Sequence, residues 1–357
     1  MSYVDYIVNK RIGFGRNRRR PVDRPHRSQR RPEVQKEAFA MFNDTPVIAI
    51  EEHYWDPEMA RHFPAGENNS HVADQLAEIG DTRLRAMDEA GIDVQVLSHG
   101  APAAQKLRPE IAVDLTKRVN DRLAEACARH PGRFAAFAAL PTPVPEQAAR
   151  ELERCVNELK FKGAMIHGLT NGLFIDDKRF WPIFEVAEKL DVPIYLHPSV
   201  PHSEVTKYYY EDYARDFPTV IRPAWGFTVE TATAAIRLVL SRALEKYPRL
   251  QIILGHFGET LPFLLWRIDQ ALARPGQEGL GFRRQFSQHF HVTCSGFFST
   301  PALTCTMLEL GIDRIMFAVD YPYVDNKDGM NWIRELQLSI DDKRKLVGNN
   351  ARRLLKL

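Results

Sequence analysis

From Val47 to the C-terminus, short apolar or β-branched runs alternate with longer segments of helical period, and no long linker or change of composition interrupts them. Candidate strands span residues 47–51, 94–98, 134–139, 164–167, 194–197, 252–255, 291–293 and 315–319. Between them lie candidate helices at 82–90, 110–129, 145–159, 180–190, 229–247, 261–273 and 302–310, with 332–338 and 343–355 closing the chain. Alternating βα elements build parallel sheets, and eight such units close a ring, so the pattern predicts a (β/α)8 barrel. A doubly wound open sheet is the alternative architecture. No GxGxxG follows the first strand and no GxxxxGK[ST] occurs anywhere, which leaves a nucleotide phosphate cradle without support. No internal repeat is visible at solenoid periods either.

The first forty residues do not share this pattern. The whole chain carries 48 Lys+Arg against 46 Asp+Glu, but residues 1–40 hold 11 of the former and 4 of the latter, leaving 37 against 42 for the rest. The basic character therefore belongs to a leader that includes Arg16, Arg18, Arg19, Arg20, Arg24, Arg27, Arg30 and Arg31. It has few apolar residues and no periodicity, so it cannot bury enough surface to fold alone. Residues 1–45 are read as a disordered extension, either a solvated tail or an upstream reading frame with Met41 as the working start, and residues 46–357 as the barrel. The leader lacks the apolar core of a secretory signal, and its Asp5, Asp23, Glu33 and Glu37 do not suit an organelle transit peptide. No interleaved aromatics or fold motif support a nucleic-acid-binding arm. No run approaches the roughly 18 apolar residues of a membrane span. Cys127, Cys155, Cys294 and Cys305 show no CxxC spacing, which argues against a disulfide framework or a thiolate zinc site and for a reducing, cytoplasmic setting.

In such a barrel the chemistry sits at the carboxyl ends of the strands. The first strand runs Ile48-Ala49-Ile50-Glu51-Glu52-His53, and alternation of side chains places Glu51 and His53 on one face with Glu52 on the other. Strand five ends in His197, strand six in His256 and strand eight in Asp320. Glu51, His53, His197 and Asp320 supply two imidazoles and two carboxylates, a donor set that suits one divalent ion such as Zn²⁺ or Mn²⁺ and does not suit Cu(I). His256 precedes Glu259 by three residues, and the pair is a candidate acid/base unit in which the carboxylate holds the imidazole tautomer. Glu52 is expected behind the strand, paired to a basic group. A lone histidine after an apolar strand is more often packing than ligand; four strand ends occupied by metal-capable residues are a different matter.

The segments around Glu51-Glu52-His53, Leu196-His197-Pro198, Gly255-His256-Phe257-Gly258-Glu259 through Trp266-Arg267-Ile268-Asp269, and Ala318-Val319-Asp320-Tyr321-Pro322 resemble the metal-dependent amidohydrolase superfamily. Within it they are most similar to the branch of nonoxidative aromatic-acid decarboxylases, over residues 47–357. The Glu-x-His opening, where many hydrolases of the superfamily have His-x-His, favours that branch. The resemblance implies a mononuclear centre held by Glu51, His53, His197 and Asp320, His256 and Glu259 as the catalytic pair, and a substrate contact from Arg267; Asp320, a ligand that can also carry a proton, is the candidate for delivering it to the substrate. It implies an ortho-hydroxylated aromatic acid as substrate and a homo-oligomer; the net −5 on residues 41–357 argues against a nucleic-acid partner, and the lack of a long apolar run against a membrane one. The alternative is a hydrolase of the same superfamily acting on an ester, lactone or amide. His167, Ser98-His99-Gly100 and Leu272 depart from the branch's pattern at positions expected to wall the pocket, with His167 a further candidate substrate contact. Trp225, Phe227 and Tyr323 are candidates to sandwich an aromatic ring.

Overall fold

The structure is a computed structural model and describes residues 42, 45–63, 72–273 and 279–357. Most of the basic leader lies outside these residues. Eight parallel strands form the barrel: β1 (Ile48–Tyr54), β2 (Val94–His99), β3 (Phe134–Ala136), β4 (Ala164–His167), β5 (Ile194–His197), β6 (Ile252–Leu254), β7 (Phe290–Thr293) and β8 (Ile315–Met316). Their ladders run β1-β2-β3 and β4-β5-β6-β7-β8. A parallel bridge from Ala138 to Ala164 joins the two sets on one side. On the other, the Ile50 amide donates to Phe317 O (3.3 Å) and the His53 amide to Tyr321 O (2.7 Å), which closes the ring.

The helices that flank the barrel follow from local sequence. The helix α1 (Asp81–Ala90) stops at Gly91, whose φ of 88° is accessible to glycine at little cost and lets its amide reach Met87 O. In α2 (Pro109–Arg129) a proline occupies the first turn, and Ala112, Leu115, Val119, Leu123 and Ala126 recur at helical spacing to give one buried stripe. The barrel also has α3 (Pro145–Asn157), α4 (Trp181–Leu190), α5 (Gly226–Leu240), α6 (Leu261–Leu272), α7 (Phe282–His289), α8 (Thr300–Leu310) and α9 (Asn326–Glu335). Inside the ring, Ile48, Ile50, Val96, Phe137, Met165, Tyr195, Ile253, Met316 and Ala318 pack together, and Ala351 and Leu355 close the bottom. Among the described residues no helix is long and apolar enough to cross a membrane.

Three departures from the pattern have local causes. The helix expected over 229–247 ends at Leu240, because the Ser241 hydroxyl bonds Leu238 O (2.8 Å) and caps the Ala243 amide (3.2 Å) while Arg242 turns to φ 61°. The C-terminal helix expected over 343–355 is interrupted by a π-helical turn, Lys345–Asn349, from which Leu346 O accepts the Phe317 amide (2.9 Å). Between β5 and α5 the chain forms short helical turns over residues 203–221 that hydrophobic period did not reveal. They carry exposed Tyr208, Tyr209, Tyr213 and Phe217, so no apolar stripe marks them in the sequence.

Candidate metal centre

The first strand contains a bulge that re-aims its side chains. Ala49 pairs with Gln95 but Glu52 pairs with Leu97, so β1 spends one residue more than β2 over this stretch. Ile48 and Ile50 face the barrel interior, and strict alternation would turn Glu51 outward. The extra residue resets the phase: Glu51 joins Ile50 on the inner side, Glu52 points out and His53 points in. Glu51 and His53 share a face, as alternation requires, and that face is the inner one because the pleat is broken immediately before them.

Glu51, His53 and His197 are buried and Asp320 is partly exposed, and one donor atom of each lies within 4.8 Å of the others. His197 Nε2 stands 3.3 Å from Glu51 Oε1, and His53 Nε2 stands 3.2 Å from Asp320 Oδ1. Glu51 Oε1, His53 Nε2 and Asp320 Oδ1 are buried without a hydrogen-bond partner. Three convergent polar atoms left unsatisfied in this way carry a desolvation cost that a cation between them would remove. The donor set and its orphaned atoms therefore fit a divalent ion.

The remaining atoms of these residues are fixed from behind. Glu51 Oε2 accepts from the Tyr195 and Ser295 hydroxyls, with Thr293 Oγ1 at 3.3 Å. His197 Nδ1 lies 2.7 Å from Pro198 O, an atom that only accepts, so Nδ1 carries the proton and Nε2 presents its lone pair to the centre. His167 Nδ1, 2.9 Å from the same nitrogen, is then the acceptor. His53 Nδ1 meets Ser98 Oγ at 3.2 Å. Such contacts orient metal-binding imidazoles and are part of a working site. Burial pushes the Glu51 carboxyl up to about 7, with Asp320 adding to the rise and His256, His53 and Ser295 opposing it. Burial holds His197 and His167 well below the usual imidazole range, which keeps both neutral.

His256 Nδ1 donates to Glu259 Oε1 at 2.7 Å. The pair does not sit on a regular helix. His256, Phe257, Gly258, Glu259 and Thr260 all have φ between 49° and 75°, a left-handed turn between β6 and α6. Each non-glycine residue in that region costs about 1–2 kcal/mol, and such strain collects where geometry serves function. Burial lowers the His256 imidazole, but the Glu259 charge and hydrogen bond, with Glu51 and Asp320 beyond, outweigh it and raise the group to about 10.

His197, His256 and Asp320 open onto a cavity of about 410 Å³ walled also by Pro102, Val200, Pro223, Phe227, Tyr323 and Val324, with Lys106, Thr219 and Arg222 as polar lining. A wider depression of about 830 Å³ shares Lys106, Ser199 and Val200 with it. Phe227 and Tyr323 thus stand where a ring would lie; Trp225 is half exposed and is not among the lining residues. Several expected wall residues lie elsewhere. His167 packs behind His197, Ser98 behind His53, and His99 Nε2 accepts the Asp56 amide at 3.0 Å. Leu272 belongs to a separate depression with Asp269 and Phe282. Arg267 is exposed on α6 and does not line the cavity, since the left-handed turn sets the face of α6 that Leu261 and Leu265 bury. Sequence reasoning missed Lys106, on a 3-10 turn after β2, and Thr219 and Arg222, on the turns before α5; no periodicity marks either segment.

The amidohydrolase family model matches residues 48–357, and the chain belongs to that family. It is 39% identical over 327 residues to a gamma-resorcylate decarboxylase of Rhizobium radiobacter, covering 87% of this chain and 98% of that protein. A dihydroxybenzoic acid decarboxylase from a Polaromonas species, solved with bound manganese and the inhibitor 2-nitroresorcinol, superposes with a TM-score of 0.80 at 39% identity, over 88% of this chain and 97% of that one. The 5-carboxyvanillate decarboxylase of Sphingomonas paucimobilis gives 0.82 at 30% identity, over 88% and 100%.

Proposed function

We propose that this chain is a metal-dependent decarboxylase of an ortho-hydroxylated aromatic acid, with one divalent ion held by Glu51, His53, His197 and Asp320. The observation that carries the reading is the convergence of three orphaned, buried donor atoms, on Glu51, His53 and Asp320, beside a cavity that Asp320 and His197 line together with Phe227, Tyr323, Lys106 and Arg222. The relatives described above are decarboxylases, which favours this chemistry over hydrolysis of an ester, lactone or amide.

Direct loss of CO₂ from an aryl carboxylate would leave an aryl carbanion. An ortho hydroxyl opens an easier route: the ring carbon bearing the carboxylate takes a proton first, then the C–C bond breaks, CO₂ departs and aromaticity returns. A bound divalent ion supplies Lewis acidity that favours the ortho phenolate and orients the carboxylate. Asp320 reaches the cavity from the floor and delivers the proton to the ring carbon. His256, held protonated by Glu259 and lining the same cavity, resupplies it. Phe227 and Tyr323 flank the ring. Lys106 and Arg222, rather than Arg267, draw the anion in, and Pro198 O holds the tautomer of His197 with His167 packed behind it. The reading includes a homo-oligomer, supported by exposed Phe263 and Trp266 on α6, and a reducing, cytoplasmic setting, supported by four free cysteines.

The test is CO₂ release from a panel of ortho-hydroxybenzoates by protein loaded with Mn²⁺ or Zn²⁺. Release that stops on chelation and in Asp320→Ala is expected. An inert panel, with cleavage of esters, amides or lactones instead, overturns the reading.

A further inference from the structure

Glu52 sits between two of the candidate ligands, Glu51 and His53, yet points away from them. It is fully buried. The strand β8 ends at Met316, and the chain that follows carries Asp320 in a left-handed conformation, φ 66°. Ladder bonds from β1 reach this stretch only at Phe317 O and Tyr321 O. The two amides on either side of Asp320 go instead to one side chain: Val319 N donates to Glu52 Oε1 (2.8 Å) and Tyr321 N to Glu52 Oε2 (3.1 Å). The bulge in β1 makes this possible, because it is what turns Glu52 outward.

The clamp is itself held. Gln95 Nε2 lies 3.4 Å from Glu52 Oε2 and 3.4 Å from Asn326 Oδ1, and Gln95 Oε1 accepts from Arg83 Nη1 at 3.2 Å. Arg83, buried and stacked 4.8 Å over the Tyr321 ring, donates from Nη2 to the carbonyl of His53. One buried network thus grips the backbone of His53 on β1 and the backbone on both sides of Asp320 after β8. These are the two residues whose donor atoms face each other at 3.2 Å.

We propose that Glu52 is a positioning residue for the metal centre: its carboxylate locks the Asp320 arm to the Glu51/His53 arm and sets the spacing between them before any ion binds. The inference rests on the assignment of Glu51, His53, His197 and Asp320 as ligands. Contacts that orient metal ligands from behind are worth on the order of 10–100-fold in affinity. Glutamine at this position keeps the shape but turns an NH₂ group toward one of the two amides, which opens the clamp on one side of Asp320.

The experiment measures Mn²⁺ affinity by chelator competition, the thermal midpoint of the metal-free protein, and kcat and KM after reloading, for the whole chain and for Glu52→Gln. The expected result is a dissociation constant raised at least tenfold and a lower kcat, with KM for the aromatic acid within about twofold of the parent. A purely structural role would lower the metal-free midpoint and leave the affinity unchanged, which overturns the proposal. Gln95→Met, which cuts the link from Glu52 to Arg83 and leaves all charges in place, carries the test if Glu52→Gln does not fold; a two- to fivefold loss of affinity is expected, and an unchanged value overturns the proposal. Failure of the parent protein to bind Mn²⁺ refutes the metal-centre reading itself, a result distinct from equal binding by parent and variants.

Discussion

With Glu51 as a ligand, as proposed, metal binding depends on pH in a calculable way. Its carboxyl is raised to about 7 in the metal-free protein by burial, with the Asp320 charge adding to the rise. A ligand must shed its proton before it coordinates. Below pH 7 the ion therefore competes with a proton at Glu51, and affinity falls about tenfold per unit, or about 1.4 kcal/mol. Between pH 7.5 and 5.5 the deprotonated fraction drops about 25-fold, so the Mn²⁺ dissociation constant should rise by at least that factor, about 1.9 kcal/mol. The neutral form of His197 adds nothing to the slope, since its imidazole is held well below the usual range. The sign for folding is the opposite. A raised folded-state value favours the metal-free fold below the unfolded carboxylate's range, and that contribution is lost as pH rises through about 7. The thermal shift produced by Mn²⁺ should consequently grow with pH. The assay is chelator competition at pH 5.5, 6.5 and 7.5, corrected for protonation of the chelator, with calorimetry in two buffers to count protons released on binding. At least one proton is expected at pH 5.5, and Glu51→Gln should lower that count by one. A dissociation constant that moves less than threefold across this range, or a slope untouched in Glu51→Gln, refutes the reasoning.

Glu259→Gln removes the carboxylate whose charge and hydrogen bond raise His256, and CO₂ release near pH 7 should fall at least about 100-fold with metal content unchanged by elemental analysis. Activity within twofold of the parent would sink the acid/base role. Gly348→Ala places a Cβ 2.0 Å from Pro46 O inside the π-helical turn, which should cost about 2–4 kcal/mol and lower the thermal midpoint by roughly 5–10 °C. A midpoint within 2 °C of the parent contradicts the packing described for that turn.

The donor set was legible in the sequence because Glu51, His197 and Asp320 directly follow apolar runs and His53 stands two residues beyond Glu51, and a barrel strand delivers whatever stands at its carboxyl end to the same rim. His197 illustrates this: β5 runs without irregularity from Ile194 to His197, so counting residues locates the imidazole. His256 and Glu259 were legible as a pair by spacing, but the left-handed turn that carries them was not. The substrate contact implied for Arg267 rested on resemblance alone, and the orientation of the helix that carries it depends on the same turn. Lys106, Thr219 and Arg222 had no sequence signal, since the segments that carry them are short turns whose place over the barrel mouth depends on tertiary packing.

By itself, the sequence determined the barrel, the order of its strands and which metal-capable side chains stand at their ends. Those depend on period and on which residue follows each strand, both local properties of the chain. Tertiary structure decided which way the donors face. In β1 the pleat would have turned Glu51 away from the centre, and a bulge visible only in the pairing with β2 turned it back and sent Glu52 outward. Asp320 lies beyond the two-residue β8, and the amides of its two neighbours, Val319 and Tyr321, donate hydrogen bonds to the Glu52 side chain 267 and 269 positions earlier. Register and long-range hydrogen bonds are relations between segments distant in the chain, and no window of residues contains them.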